Sequence, residues 1–97
     1  MPEEYYSARV ANELIVLRKK NGLSQRRVAL LLGHQHTTML SKYENSHLLP
    51  PLATALRLEI IYRTRLSAMF PRLYKALEAK VEMERKRIGR PIQGTLF

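Results

Sequence analysis

Cysteine is absent, which excludes a disulfide framework, a thiolate metal site and a thiol nucleophile. Aspartate is absent as well, so all eight acids are Glu, set against seventeen Lys plus Arg. There is no Trp and there are only four Gly, with no glycine-rich loop to cradle a phosphate. The longest purely apolar run, Val28 to Leu32, falls far below the roughly 18 residues that cross a bilayer. A basic stretch followed by an apolar one, the pattern of a secretory leader, does not open the chain. The expectation is a cytoplasmic, nucleoid-associated protein with no membrane partner. Neither an internal repeat nor an alternating run of strand length occurs, so the class expected is all-α.

What is present is ordinary globular composition, 45% hydrophobic and 26% charged over 97 residues, which fits one folded domain. The formal net charge is +9. Residues 1–33 contribute +3, residues 34–62 are neutral and residues 63–97 contribute +6, so the excess lies at both ends. A polyanionic partner follows, although charge alone does not separate DNA, RNA and an anionic membrane.

Helical spacing organises the chain. Tyr6, Val10, Leu14 and Leu17 share one stripe of a helix over roughly residues 4 to 20, and Asn21-Gly22 stops it. Ser24 is a good N-cap for a short second helix ending at Gly33, with Val28, Ala29, Leu31 and Leu32 as its buried face. Gln35 to Asn45 has few large apolar residues besides Met39, Leu40 and Tyr43, and a helix there presents a polar face. The Pro50-Pro51 pair separates it from a fourth helix, about Leu52 to Tyr62, with Leu52, Ala55, Leu56 and Ile60 inward. A basic joint, Arg63-Thr64-Arg65, leads to a short segment from Leu66 to Phe70. Pro71 then opens a last helix in which Leu73, Leu77, Val81 and Ile88 lie near one face and Gly89 closes it. The expected organisation is a helix-turn-helix domain over 1–71, a C-terminal helix over 72–88 and an extended tail over 89–97.

Two short helices joined by a tight turn, the second of them polar, form an arrangement in which the second enters the major groove and the first braces it. The order Leu17-Arg18, Gly22-Leu23-Ser24-Gln25, Leu31-Leu32-Gly33, Ser41-Lys42-Tyr43-Glu44-Asn45, Pro50 and Leu66-Ser67-Ala68-Met69-Phe70-Pro71 is specific. Over residues 9–71 it resembles the phage-repressor and Cro-like (XRE-type) helix-turn-helix family. That resemblance implies a five-helix lambda-repressor-like DNA-binding domain, here with an extended C-terminal helix. It implies that Gln25 contacts a phosphate and steadies the recognition helix, and that Thr37, Thr38 and Lys42, with Ser41 among them and His36 just before, read base edges. Threonine bonds to bases or packs on a thymine methyl, and lysine suits guanine acceptors or phosphate. Asn45 and its successors match the loop that meets the sugar-phosphate backbone. Arg18 and Glu44 match a buried ion pair tying the first helix to the end of the third.

Several departures from the family pattern stand out. One extra residue lies between Gly33 and Ser41, so Gln35 and His36 lengthen the turn or the start of the third helix. Arg27 sits where a capping acid is common, which suggests a phosphate near Arg26 and Arg27. Ser46 replaces a common Gly, and Arg63 to Arg65 replace a Gly-containing joint. Taken alone, Arg26, Arg27 and Lys42 are also what an ordinary solvated face looks like. His34, His36 and His47 lack Asp or Cys support for a metal, and no nucleophile with a paired His and acid is apparent. No cofactor, metal or enzymatic activity is expected. Tyr5-Tyr6 reads as core packing.

In the last helix, Glu82 with Lys86 and Glu84 with Arg87 compensate part of its charge. Its Leu73, Leu77 and Val81 stripe needs the first helix or a second copy to cover it, so a homodimer on a palindromic operator is expected. The chain's end resembles the short peptide that docks on the replication sliding clamp, through Gln93, Leu96 and Phe97; the plain alternative is a frayed tail. The function expected is that of a small transcriptional regulator, a repressor, bound to double-stranded DNA. An antitoxin with a toxin partner is the nearest alternative, and a non-specific RNA-binding or nucleoid-associated protein is the alternative of another class.

Overall fold

The computed structural model describes residues 11–89, and among them there are six helices and no strand. α1 is Leu14–Lys20, α2 Gln25–Leu31, α3 Thr38–Glu44, α4 Leu52–Tyr62, α5 Leu66–Met69 and α6 Pro71–Ile88. The expected positions Tyr6 and Val10 at one end, and Gln93, Leu96 and Phe97 at the other, lie outside the described residues.

α1 starts at Leu14, and residues 11–13 are not helical as the spacing had predicted. Asn12 is the reason. Its Oδ1 accepts from the Leu14 backbone N at 3.0 Å, and its Nδ2 donates to the Tyr43 carbonyl at 3.0 Å and to Ser46 Oγ at 3.2 Å. Such local side-chain bonding competes with helix and fixes a start point. Gly22, at φ +68°, takes the left-handed turn after Asn21, where a Cβ would be strained. Ser24 Oγ then accepts from the Arg27 N at 3.0 Å, satisfying one orphan donor at the start of α2.

The core is built from Leu14 of α1, Val28 and Leu32 around α2, Leu40 and Tyr43 of α3, Leu58 and Tyr62 of α4, and Met69-Phe70 after them. Two sequence expectations fail against it. Leu31 is exposed, since Val28, Ala29 and Leu32 already fill the narrow inner face of a helix only seven residues long. In α4 the buried residues are Thr54, Ala55, Leu58 and Tyr62, whereas Leu52, Leu56 and Ile60 face solvent. Apolar residues run most of the way around this helix, so periodicity alone does not choose its inner face.

Arg63 takes the left-handed conformation, φ 50°, where α4 ends. The Leu66 N donates to Glu59 Oε2 at 3.2 Å, which ties the start of α5 back to α4. Pro71 occupies the first turn of α6, where its missing N–H costs nothing. Glu82 pairs with Arg85 at 3.1 Å rather than with Lys86, and Glu84 pairs with Arg87 at 2.7 Å. None of the eighteen residues of α6 is fully buried.

Candidate nucleic-acid interface

α3 has two sides. Leu40, Tyr43 and Glu44 are buried, and at 100° per residue Thr38, Lys42 and Asn45 stand on the opposite side, all exposed, with half-buried Ser41 beside them. Asn45 Nδ2 donates to Ser41 Oγ at 3.3 Å, so these two polar groups already share one surface. Thr37 is the half-buried N-cap of α3 and lies outside its helical residues. Gln35 and His36 are exposed in the bend before it, so the extra residue lengthens the turn and leaves the helix alone. Arg26 and Arg27 are exposed in the first turn of α2.

Beneath this surface lies an ion-pair network. Arg18 Nε donates to Glu44 Oε2 at 2.7 Å and Arg18 Nη2 to Oε1 at 3.3 Å, a two-pronged contact whose carboxylate is only 1% exposed. Gln25 Nε2 donates to the same Oε1 at 2.8 Å, and Arg18 Nη1 donates to the Leu23 carbonyl at 3.2 Å. One carboxylate at the end of α3 is thereby held by α1 and by the first residue of α2. The hydrogen bond to Glu44 raises the Arg18 pKa above its usual value against the opposing effect of burial. The resemblance gave Gln25 a phosphate as well as a steadying role; one of its two amide N–H groups is used here on Glu44.

Nearby, the Tyr62 hydroxyl is buried without a hydrogen-bond partner among the described residues. Burial first, and the negative Glu44 second, push its pKa up to about 12. Burial also raises the Tyr43 pKa, with a hydrogen bond to Thr54 opposing it.

Two positioning residues were missed by sequence reasoning. Asn12 ties the start of α1 to the loop after α3, and Arg57 Nη1 donates to the Leu32 carbonyl at 3.1 Å, closing the end of α2 from α4. Asn before a helix is a capping signal, but its tertiary partners have no sequence signature. No three His, Cys, Asp or Glu side chains among the described residues are grouped to hold a metal ion. No described helix is long and apolar enough to cross a membrane.

Searches of curated proteins and of solved structures give no match. The family model described as helix-turn-helix matches residues 14–68, from the first residue of α1 to the middle of α5. That span holds the bracing helix, the turn, the polar helix and the Arg18–Glu44 pair in one continuous match, and the chain belongs to the phage-repressor and Cro-like helix-turn-helix family of DNA-binding regulators.

Proposed function

We propose that the protein binds double-stranded DNA sequence-specifically and acts as a repressor, with α3 in the major groove. The observation that carries this reading is the two-sidedness of α3. Its inner side is fixed by Leu40, Tyr43 and the Glu44 network, and its outer side offers a hydroxyl, an amide and an ammonium from Thr38, Asn45 and Lys42. A helix held from behind presents its outer groups at a constant depth and angle, which base readout requires. Lys42 and Thr38 are assigned to base edges, Asn45 to the backbone at the groove's rim, and Arg26 and Arg27 to phosphates. Occupying a promoter is enough to block transcription. The formal charge of +9 supplies the sequence-independent part of the attraction.

Competition tests the reading. A labelled fragment carrying the preferred site should stay bound in excess random DNA, because specific affinity typically exceeds non-specific by about a thousandfold or more. Binding that collapses equally with random DNA and with moderate salt would replace it with charge-driven association.

A further inference from the structure

We propose that α6 carries a second duplex-binding face, so that a chain holding its site with α3 binds another segment of double-stranded DNA with α6. The inference goes beyond the α3 reading and stands on different residues. α6 is about 27 Å long at 1.5 Å per residue. Leu73 and Leu77 are half-buried, and every other residue of the helix after Pro71 is exposed.

The charges on this exposed helix are sorted by side. At 100° per residue, Lys75 and Lys86 edge one side of an arc about 140° wide, Lys80 and Arg87 edge the other, and Arg72 lies between them. Ala76, Ala79 and Met83 fill the rest of the arc, and Glu78, Glu82 and Glu84 all fall outside it. Arg87 is paired with Glu84 and Arg85 with Glu82, whereas Arg72, Lys75, Lys80 and Lys86 make no ion pair among the described residues. Like charges gathered on one face repel each other, and a polyanion relieves them.

The shape of the arc selects the polyanion. Its two basic edges stand on either side of a helix about 10–12 Å across with its side chains, and the major groove of DNA is about 12 Å wide. Ala76 and Ala79 between the edges let the helix approach the groove floor while the flanking lysines reach phosphates on both sides. Double-stranded RNA has a deep, narrow major groove closed to side chains, and single strands are held by stacked aromatics, of which the arc has none. Leu77 is turned to the body, where it shares a groove with Leu66 and Phe70. The middle of the arc stands about 100–160° around the helix from Leu77 and looks away from the body that carries α3, so the duplex on it is a second one.

Surface capture tests the proposal. A duplex carrying the preferred site is fixed, the full chain is bound to it, and a labelled random-sequence duplex is passed over. The wild-type chain should retain the labelled duplex. Lys75→Gln with Lys80→Gln, one base from each edge, should weaken retention by about tenfold or more at about 0.15 M salt, since each lost phosphate contact takes about one from the salt slope. Lys75→Arg with Lys80→Arg should keep it, with circular dichroism as the folding control for every variant. Lys19→Gln with Lys20→Gln removes the same charge from exposed positions on α1 and should leave retention within about twofold of wild type. Binding to the fixed duplex should survive the α6 substitutions. If α3 reads no sequence, a random duplex serves as the fixed one, so the two readings fail separately. Failure of the wild-type chain to retain a second duplex would overturn the proposal. So would equal loss from both lysine pairs, or retention indifferent to Lys75 and Lys80, the result expected if two α3 helices of a paired protein do the bridging. Retention of single-stranded RNA in preference to duplex would do the same.

Discussion

Glu44 joins three helices through a single side chain. Its carboxylate accepts from Arg18 and Gln25, and removing Arg18 strands a charge that is 1% exposed. Arg18→Met should therefore cost about 3–5 kcal/mol, read from urea unfolding, while the double variant Arg18→Met with Glu44→Leu should recover much of the loss. Tyr62 gives a second prediction at this scale. Its folded pKa of about 12 lies above the ordinary tyrosine value of about 10, so the folded state holds the proton more tightly. The resulting stabilisation is complete below about pH 10 and disappears as the pH climbs through 12. Tyr62→Phe should change stability little at pH 7, because the hydroxyl has no partner among the described residues, and should flatten the loss between pH 10 and 12. Unfolding midpoints of both proteins across that range check it; parallel curves would show that Tyr62 is not the titrating group.

At the scale of elements, turns decide where helices stop, and two of them use residues ill suited to the task. Ser46 and Arg63 both have positive φ, 61° and 50°. These are positions where the sequence departs from the glycine-bearing family pattern. Ser46 Oγ also accepts from Asn12, so Arg63 is the cleaner test. Arg63→Gly should stabilise by about 0.5–1 kcal/mol, the left-handed penalty less the entropy of glycine. That corresponds to a rise in Tm of about 4 °C by calorimetry. The same elements show what was legible beforehand. α2 could be read because Ser24 caps it ahead of Val28, Ala29 and Leu32, although the exposed Leu31 could not be told from them, and α3 because Leu40 and Tyr43 stand out on a largely polar segment. α4 could not, since Leu52, Leu56 and Ile60 form as regular a stripe as the residues actually buried. The start of α1 was hidden because Asn12 acts through Tyr43 and Ser46, more than thirty positions away.

For the whole molecule, a fixed frame underlies an exposed polar surface. The Arg18–Glu44–Gln25 network joins α1, α2 and α3, and the polar groups that would meet DNA lie on the outer side of α3. Selecting bound fragments from a random DNA pool with the wild-type protein and with Thr38→Ala, Lys42→Ala and Arg26→Ala is the most direct measurement. The account predicts a defined wild-type site, relaxed preference at particular positions for Thr38→Ala and Lys42→Ala, each worth about 1–3 kcal/mol, and uniformly weaker binding for Arg26→Ala. A pool with no preferred sequence, or three variants that weaken all sequences alike, would contradict it.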